Sequence, residues 1–429
     1  MASATTTAKL IEEMPLAHVV DSKFADKVCA NCMVPVWERD TEEKLSRCGR
    51  CKFAYYCNMR CQKKDWLNHK MECSYLSRVA PRIPESTPRL IGRIITALES
   101  NEDRNPAFNG RLFASLESQM NQDVLSKSEN VSLNNMQMFN SFKDATDIEN
   151  DVEKKDGFIA IAYVIKDYLP LGKMPPSAEI FNIFCKVLIN GLVITDSCLN
   201  GIGLGIYIGL SALDHSCKPN AFIIFNGTKA VLRSLDMNIT EYNDNDQQKF
   251  SLRCTKCKDG FCPYSPDDDY AEIPCKVCGE ISVFNFDVVK KLCRQLSACR
   301  LLENNLSEMI DLYNKFEEVF SPYNVPLCKF AEAIMALAVG NEKYDEAVEY
   351  ARKTLLCYRT YYPKGHPSIC VRMFEYAKLL MLQHNPKSLP VLRKAFEMIC
   401  ESYGPDSNFA SSTVRLLNNL EKFVPFSSP

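Results

Sequence analysis

The spacing of apolar and polar positions changes several times along the chain. Lys9 to Val20 (KLIEEMPLAHVV) reads as a short strand and turn leading directly into a cysteine-rich segment. From about Arg82, apolar residues recur at helical spacing, through Leu90 to Leu98 and again around Phe113, and the polar stretch Ser126 to Lys155 is expected to be a mobile insertion. FIAIAYVIKDYL and AEIFNIFCKVLI predict helices separated by a break at Pro175 and Pro176. Between Gly203 and Leu235, glycine turns and runs such as AFIIFNG and AVLRSL predict short strands. Beyond Phe284 the pattern is helix upon helix. Arg352-Lys353 and Tyr362 recur there as Arg393-Lys394 and Tyr403, an offset of 41, and each tyrosine precedes a proline and a glycine that end a helix. A helix-turn-helix array of tetratricopeptide type fits this repeat, with a non-repetitive helical bundle as the alternative.

Bulk composition adds exclusions. With 51 basic and 53 acidic side chains in 429 residues, a net charge of -2 excludes wholesale electrostatic adhesion to nucleic acid or acidic membranes. No run is long and apolar enough for a membrane span, Gly201 to Leu213 being the longest apolar stretch. The opening MASATTTAKL lacks a basic-then-apolar leader, so an intracellular protein with reduced thiols is expected. That makes the 21 cysteines informative: seven fall between Cys29 and Cys73 and five between Cys254 and Cys278. Clustered thiols in a reducing compartment point to metal.

Cys29-x2-Cys32, Cys48-x2-Cys51, Cys57-x3-Cys61 and His69-x3-Cys73 supply eight donors in four pairs. Zinc takes four such donors tetrahedrally, so eight make two closed sites, a structural arrangement with no open position for water. Spacing leaves open whether the pairs act in sequence or interleaved.

CANC…CGRCKFAYYCNMRCQKKDWLNHKMEC resembles a MYND zinc finger. The resemblance implies interleaving, with Cys29, Cys32, Cys57 and Cys61 on one zinc and Cys48, Cys51, His69 and Cys73 on the other. KKDWLNHKMEC would form a short helix. Lys44 to Cys73 carries a side-chain charge of +6, which seven thiolates and two divalent ions reduce by three. The weakened basic face disfavours DNA backbone contact, and the resemblance favours proline-containing peptides as partners of the finger.

Asp214-His215-Ser216-Cys217-Lys218-Pro219-Asn220 is similar to the SET-domain motif of protein-lysine methyltransferases. Finger, motif, cysteine pair and helical tail occur here in the order of the SET and MYND (SMYD) family, so the chain is identified as a member from about Lys9 to Phe423. This implies an α+β protein: a SET-type β fold interrupted by a MYND finger and a helical insertion, then an α-helical TPR-like domain. Expected bounds are a shortened SET start at 1–28, finger 29–73, insertion 80–185, core SET 186–245, post-SET zinc region 246–280 and helical domain 281–429. The implied reaction transfers a methyl group from S-adenosyl-L-methionine to a lysine of a histone or other protein. Asn190, Asp214 and His215 would bind cofactor and Tyr242 would orient the amine. A monomer working in the nucleus or cytoplasm, without membrane attachment, is expected.

Three departures temper the catalytic expectation. The family's opening Gly-x-Gly turn has no counterpart in MASATTTA. Asp214 replaces an asparagine, and an ionised carboxylate accepts hydrogen bonds without donating them. EYNDNDQQKF follows RSLDMNIT where the family's tyrosine-bearing strand belongs, leaving Tyr242 as the candidate. Impaired activity is one consequence, and an inactive zinc-binding scaffold is the alternative. The family's post-SET zinc would join Cys217 to Cys254, Cys257 and a downstream cysteine; a free-standing ribbon of Cys254, Cys257, Cys275 and Cys278 is the other arrangement. Gly201-Ile202-Gly203-Leu204-Gly205 is too weak a motif to be the missing cofactor turn.

Overall fold

A computed structural model describes residues 7–39, 44–100, 107–108, 111–112, 152–213, 219–235, 250–257, 260–264, 272–298 and 305–423. The chain divides into two compact units, Lys9–Arg233 and Met1–Ala8 with Ser234–Pro429. Most of the polar insertion expected over Ser126 to Lys155, and Phe113 before it, lie outside the described residues.

In the Lys9–Arg233 unit, the predicted strand and turn become two strands, β1 (Lys9–Glu13) and β2 (Ala17–Val20), which belong to different sheets, with Pro15 in the link between them. Short hairpin strands β3 (Ser46–Arg47) and β4 (Tyr55–Tyr56) precede helix α1 (Met59–Val79). Asn58 caps α1 by accepting from the amides of Arg60 and Cys61. At 21 residues, α1 extends well beyond the short helix expected from KKDWLNHKMEC. Helix α2 (Ser86–Ser100) buries Leu90, Ile91, Ile94 and Ile95, each worth about 1.5–3 kcal/mol of apolar burial.

A short β5–β6 hairpin (Ala107–Phe108, Arg111–Leu112) follows, then helices α3 (Val152–Tyr168) and α4 (Ser177–Asn190), flanking the prolines as predicted. Strands β7 (Gly191–Thr195) and β8 (Gly201–Ile206) complete a sheet ordered β2-β8-β7. Strands β9 (Ala221–Asn226) and β10 (Lys229–Ser234) join β1 in a second sheet, ordered β1-β10-β9, with Glu13 opposite Ala230. The glycine repeat is therefore strand β8. Gly203 is required by packing, since a methyl group there would meet Met33 of the finger segment and the Val19 carbonyl.

In the other unit, hairpins β11 (Leu252–Arg253) with β12 (Phe261–Cys262) and β13 (Glu272–Pro274) with β14 (Ile281–Val283) precede seven helices among the described residues. These are α5 (Phe286–Ala298), α6 (Leu306–Glu317), α7 (Val325–Gly340), α8 (Tyr344–Tyr361), α9 (Pro367–Leu382), α10 (Ser388–Tyr403) and α11 (Asn408–Phe423). From α6 onward each helix packs against the next. The repeat landmarks fall at the ends of alternate helices: Tyr362 caps α8, and Tyr403 ends α10 before Gly404 at φ 92°.

His366 caps α9, its Nδ1 accepting the Ser368 amide at 3.1 Å while its ring lies 4.4 Å from that of Tyr362. Burial pulls its pKa down to about 4. An accepting nitrogen must be unprotonated, so the cap is intact above the unfolded value of about 6.5 and is lost as pH falls towards 4. We expect the first turn of α9 to lose about 2 kcal/mol of hydrogen-exchange protection across that window, the full shift being discounted for partial exposure. His366→Asn, which caps without titrating there, should flatten the profile; an equally steep profile would show that other groups control it.

Candidate functional site

Three Cys-x2-Cys turns share one backbone design. After Cys29-x2-Cys32, Met33 takes φ 55° and donates its amide to the Cys29 carbonyl at 2.9 Å. After Cys48-x2-Cys51, Lys52 takes φ 53° and donates to the Cys48 carbonyl at 3.0 Å. After Cys275-x2-Cys278, Gly279 takes φ 74° and donates to the Cys275 carbonyl at 3.0 Å. Each turn aims two sulfurs at one point.

Cys29, Cys32, Cys57 and Cys61 form one set, and Cys48, Cys51, His69 and Cys73 another, the donor atoms of each set all lying within 4.8 Å of one another. The interleaved arrangement is thus the one the fold brings together. Cys32 and Cys57 sulfurs are 3.6 Å apart, Cys48 and Cys73 sulfurs 3.7 Å, and Cys51 Sγ lies 3.6 Å from His69 Nε2. A zinc–sulfur bond of about 2.3 Å gives a tetrahedral edge of about 3.8 Å, so both cages fit zinc. Helix α1 joins the two: Cys61 in its first turn serves one set, and His69 and Cys73, four residues apart on one face, serve the other. The second set is wholly buried, and in the first only Cys29 is.

The finger is stitched into the sheet unit. Trp37 Nε1 donates to Asp196 Oδ2 at 3.1 Å and the Ser197 amide donates to Glu38 Oε1 at 2.6 Å, anchoring the turn between β7 and β8. Burial in this contact raises the Glu38 pKa, the Ser197 amide opposing it. Burial, reinforced by the Arg93 guanidinium, pulls the His18 pKa down to about 4, so its imidazole is neutral at pH 7. Sequence reasoning missed Arg89 and Arg93. Their signal is two guanidinium residues four apart in the otherwise apolar helical stretch RLIGRIITAL, where each would be expected to seek solvent.

In the segment expected to be a post-SET zinc region, the structure gathers Cys254, Cys257, Cys275 and Cys278 within the same 4.8 Å limit. Cys254 and Cys278 sulfurs are 3.8 Å apart, as are those of Cys257 and Cys275, again the edge of a zinc–thiolate tetrahedron. This is the ribbon arrangement. Cys217, the donor that the family resemblance implies, lies outside the described residues. Cys262, the other downstream cysteine, is buried on β12 and is not one of the four. Backbone amides of Lys256 and Cys257 point at Cys254 Sγ (3.3 and 3.4 Å), a favourable environment for thiolate charge.

Of the residues assigned to cofactor and catalysis, Asp214, His215 and Tyr242 lie outside the described residues. Asn190 is buried as the last residue of α4, one position before β7 rather than within the strand, and its side-chain amide donates to the Lys186 carbonyl at 2.9 Å. The segment leading to the motif is held by Glu13, another residue that sequence reasoning missed. Its two carboxylate oxygens accept the amides of Gly209 and Leu210, each at 2.9 Å, and so cap the turn Leu210–Ala212 just before Asp214. Tyr207 adds a 2.7 Å hydrogen bond to the Thr228 carbonyl at the β9–β10 turn.

Residues 29–73 match the MYND finger family. A zinc-binding MYND finger set in a mixed α and β protein with a helical C-terminal region defines the class. The chain is 26% identical over 436 residues to the histone-lysine N-methyltransferase SMYD3 of Mus musculus, covering 96% of this chain and 92% of that relative. It is 25% identical over 399 residues to the N-lysine methyltransferase SMYD2 of Homo sapiens, covering 86% and 84%. With SMYD2-B of Danio rerio the identity is 23% over 411 residues. Along most of its length the chain is thus similar to proteins of the SET and MYND (SMYD) family, as a divergent relative. Among the described residues no helix is long and apolar enough to cross a membrane.

Proposed function

We propose that this protein is an S-adenosyl-L-methionine-dependent protein-lysine N-methyltransferase acting on histones or other proteins in the nucleus or cytoplasm. The observation that carries this reading is similarity to methyltransferases over 96% of the chain, spanning finger, sheets and helical tail together. Zinc has a structural role in it, held by the two finger sets and the four post-SET cysteines. The finger takes proline-containing peptides. Cofactor, when bound, supplies the sulfonium methyl group; Asn190, Asp214 and His215 hold it, Glu13 fixes the turn that presents the motif, and Tyr242 orients the lysine amine.

Asp214 favours a second reading, an inactive scaffold that recruits partners through finger and helices, because a carboxylate cannot donate where an amide would. Titration calorimetry with S-adenosyl-L-methionine separates the two. We expect micromolar binding, tightened about tenfold by Asp214→Asn as one hydrogen bond is regained. Absence of heat at millimolar cofactor in both proteins would overturn the enzyme reading and leave the scaffold.

A further inference from the structure

The buried face of α1 carries more than metal donors. Asp65, His69, Glu72 and Cys73 are all shielded from solvent, yet only His69 and Cys73 belong to the metal set. Glu72 Oε2 lies 3.3 Å from His69 Nδ1, the imidazole nitrogen facing away from the Cys51 sulfur. A hydrogen on Nδ1 donated to that carboxylate leaves the lone pair on Nε2, the nitrogen aimed at the cage.

Arg93, on α2, grips the same carboxylate oxygen through Nε at 2.9 Å and through Nη2 at 2.5 Å. Its Nη1 donates to the His18 carbonyl on β2 at 2.8 Å. From there the chain of contacts continues, because His18 Nε2 lies 3.0 Å from the Ala30 carbonyl, between Cys29 and Cys32. One helical turn earlier, Arg89 donates to the Val20 carbonyl at the end of β2 and lies over the Phe53 ring at 4.8 Å. Strand β2 is thus held between the two metal sets by buried charge. A guanidinium buried this deeply is tolerated only when its carboxylate partner is in place, so neither end of the contact can shift alone.

We propose that Glu72 and Arg93 are positioning residues for the second zinc set and that, through them, metal binding there and the seating of strand β2 form one cooperative unit. Glu72 fixes the tautomer and ring angle of His69. Arg93 fixes Glu72 and carries its position to the β2-β8-β7 sheet. On this account the finger is part of the sheet's support, and metal loss at one set loosens a strand that also packs beside the other.

The test uses the full zinc-loaded chain. Zinc affinity is measured by competition with a chromogenic chelator, the mixed sulfur and nitrogen site is read from the visible absorption of the cobalt-substituted protein, and hydrogen exchange is followed at the Val19 and Val20 amides. Glu72→Gln keeps the shape and removes the charge. It should weaken one zinc by about 10–100-fold, leave the others at wild-type affinity, shift the cobalt bands, and lower protection of β2. Arg93→Lys keeps the charge and removes the forked grip, and should give the same pattern at smaller size; it serves alone if the glutamine variant does not fold. Wild-type zinc affinity and an unchanged cobalt spectrum in the folded variants would overturn the positioning role. Weakened zinc with unchanged β2 exchange would overturn the cooperative unit. Failure of the zinc assignment itself would show separately, as missing metal in the wild-type chain.

Discussion

Replacing Cys61 with serine is expected to cost the zinc of the first finger set and, because the finger unfolds without it, that of the second as well. Cys61 stands in the first turn of α1, where Asn58 accepts its amide and fixes the direction of its side chain towards Cys29, Cys32 and Cys57. A serine hydroxyl is a poor zinc donor at neutral pH, so the tetrahedron would keep three sulfurs. Structural zinc in isolated fingers is worth about 10–16 kcal/mol of apparent binding free energy, which is also folding free energy, so loss of the ion exceeds what neighbouring packing can replace. Damage should spread along defined contacts. Met33, fully buried against Gly203 of β8, follows Cys32 directly, and the Ala30 amide donates to the Tyr55 carbonyl at 2.8 Å, tying the first turn to β4. A drop in stability of more than about 4 kcal/mol is therefore expected for the Lys9–Arg233 unit. Zinc content by inductively coupled plasma analysis and a thermal melt check both statements. Full metal content with an unshifted melt would remove Cys61 from the donor set.

What the sequence disclosed and what it hid follow from the range of the interactions involved. The four finger pairs were legible because each is local: two donors within one turn leave a spacing that can be read directly. Their interleaving was not, because it depends on α1 crossing between two cages more than a helical turn apart, and only the resemblance supplied it. The two helices around Pro175 and Pro176 and the strands beyond Gly203 were legible from periodicity, whereas β7 was hidden behind the helix-like run before it, and Lys9 to Val20, read as one strand and turn, is two strands. Arg89 and Arg93 were illegible for a different reason. A buried arginine is paired by residues that lie far away in sequence, such as Glu72 and the carbonyls of His18 and Val20, and composition alone assigns such side chains to the surface. Glu13 was hidden in the same way, its partners being the amides of Gly209 and Leu210 nearly 200 residues later.

The post-SET cluster shows most clearly how a steric fact decides a site, and it leads to the second large effect. Gly260 should not tolerate a side chain: Gly260→Val is expected to cost the third zinc while the two finger ions stay bound. Its carbonyl accepts the Cys254 amide at 3.1 Å, closing the first turn of the ribbon, and its α-carbon faces the cage so closely that an added methyl group would run into the sulfurs of both Cys257 and Cys275. Those two sulfurs are 3.8 Å apart, already at a tetrahedral edge, so neither can retreat without opening the site. Relief would have to come from the backbone, which β11 and β12 pin by pairing Leu252 with Cys262 and Arg253 with Phe261. Gly49 is the matched control. It also lies in a Cys-x2-Cys turn, but nothing stands within 4 Å of the position its methyl group would take, so Gly49→Ala should change stability by less than about 0.5 kcal/mol and leave all metal in place. Metal analysis of the two variants, with mass spectrometry of the folded proteins to count ions, distinguishes a crowded cage from a general intolerance of substitution near cysteine. Three ions retained by the valine variant would mean that Cys254, Cys257, Cys275 and Cys278 do not share a metal, and would return Cys217 to consideration as a donor.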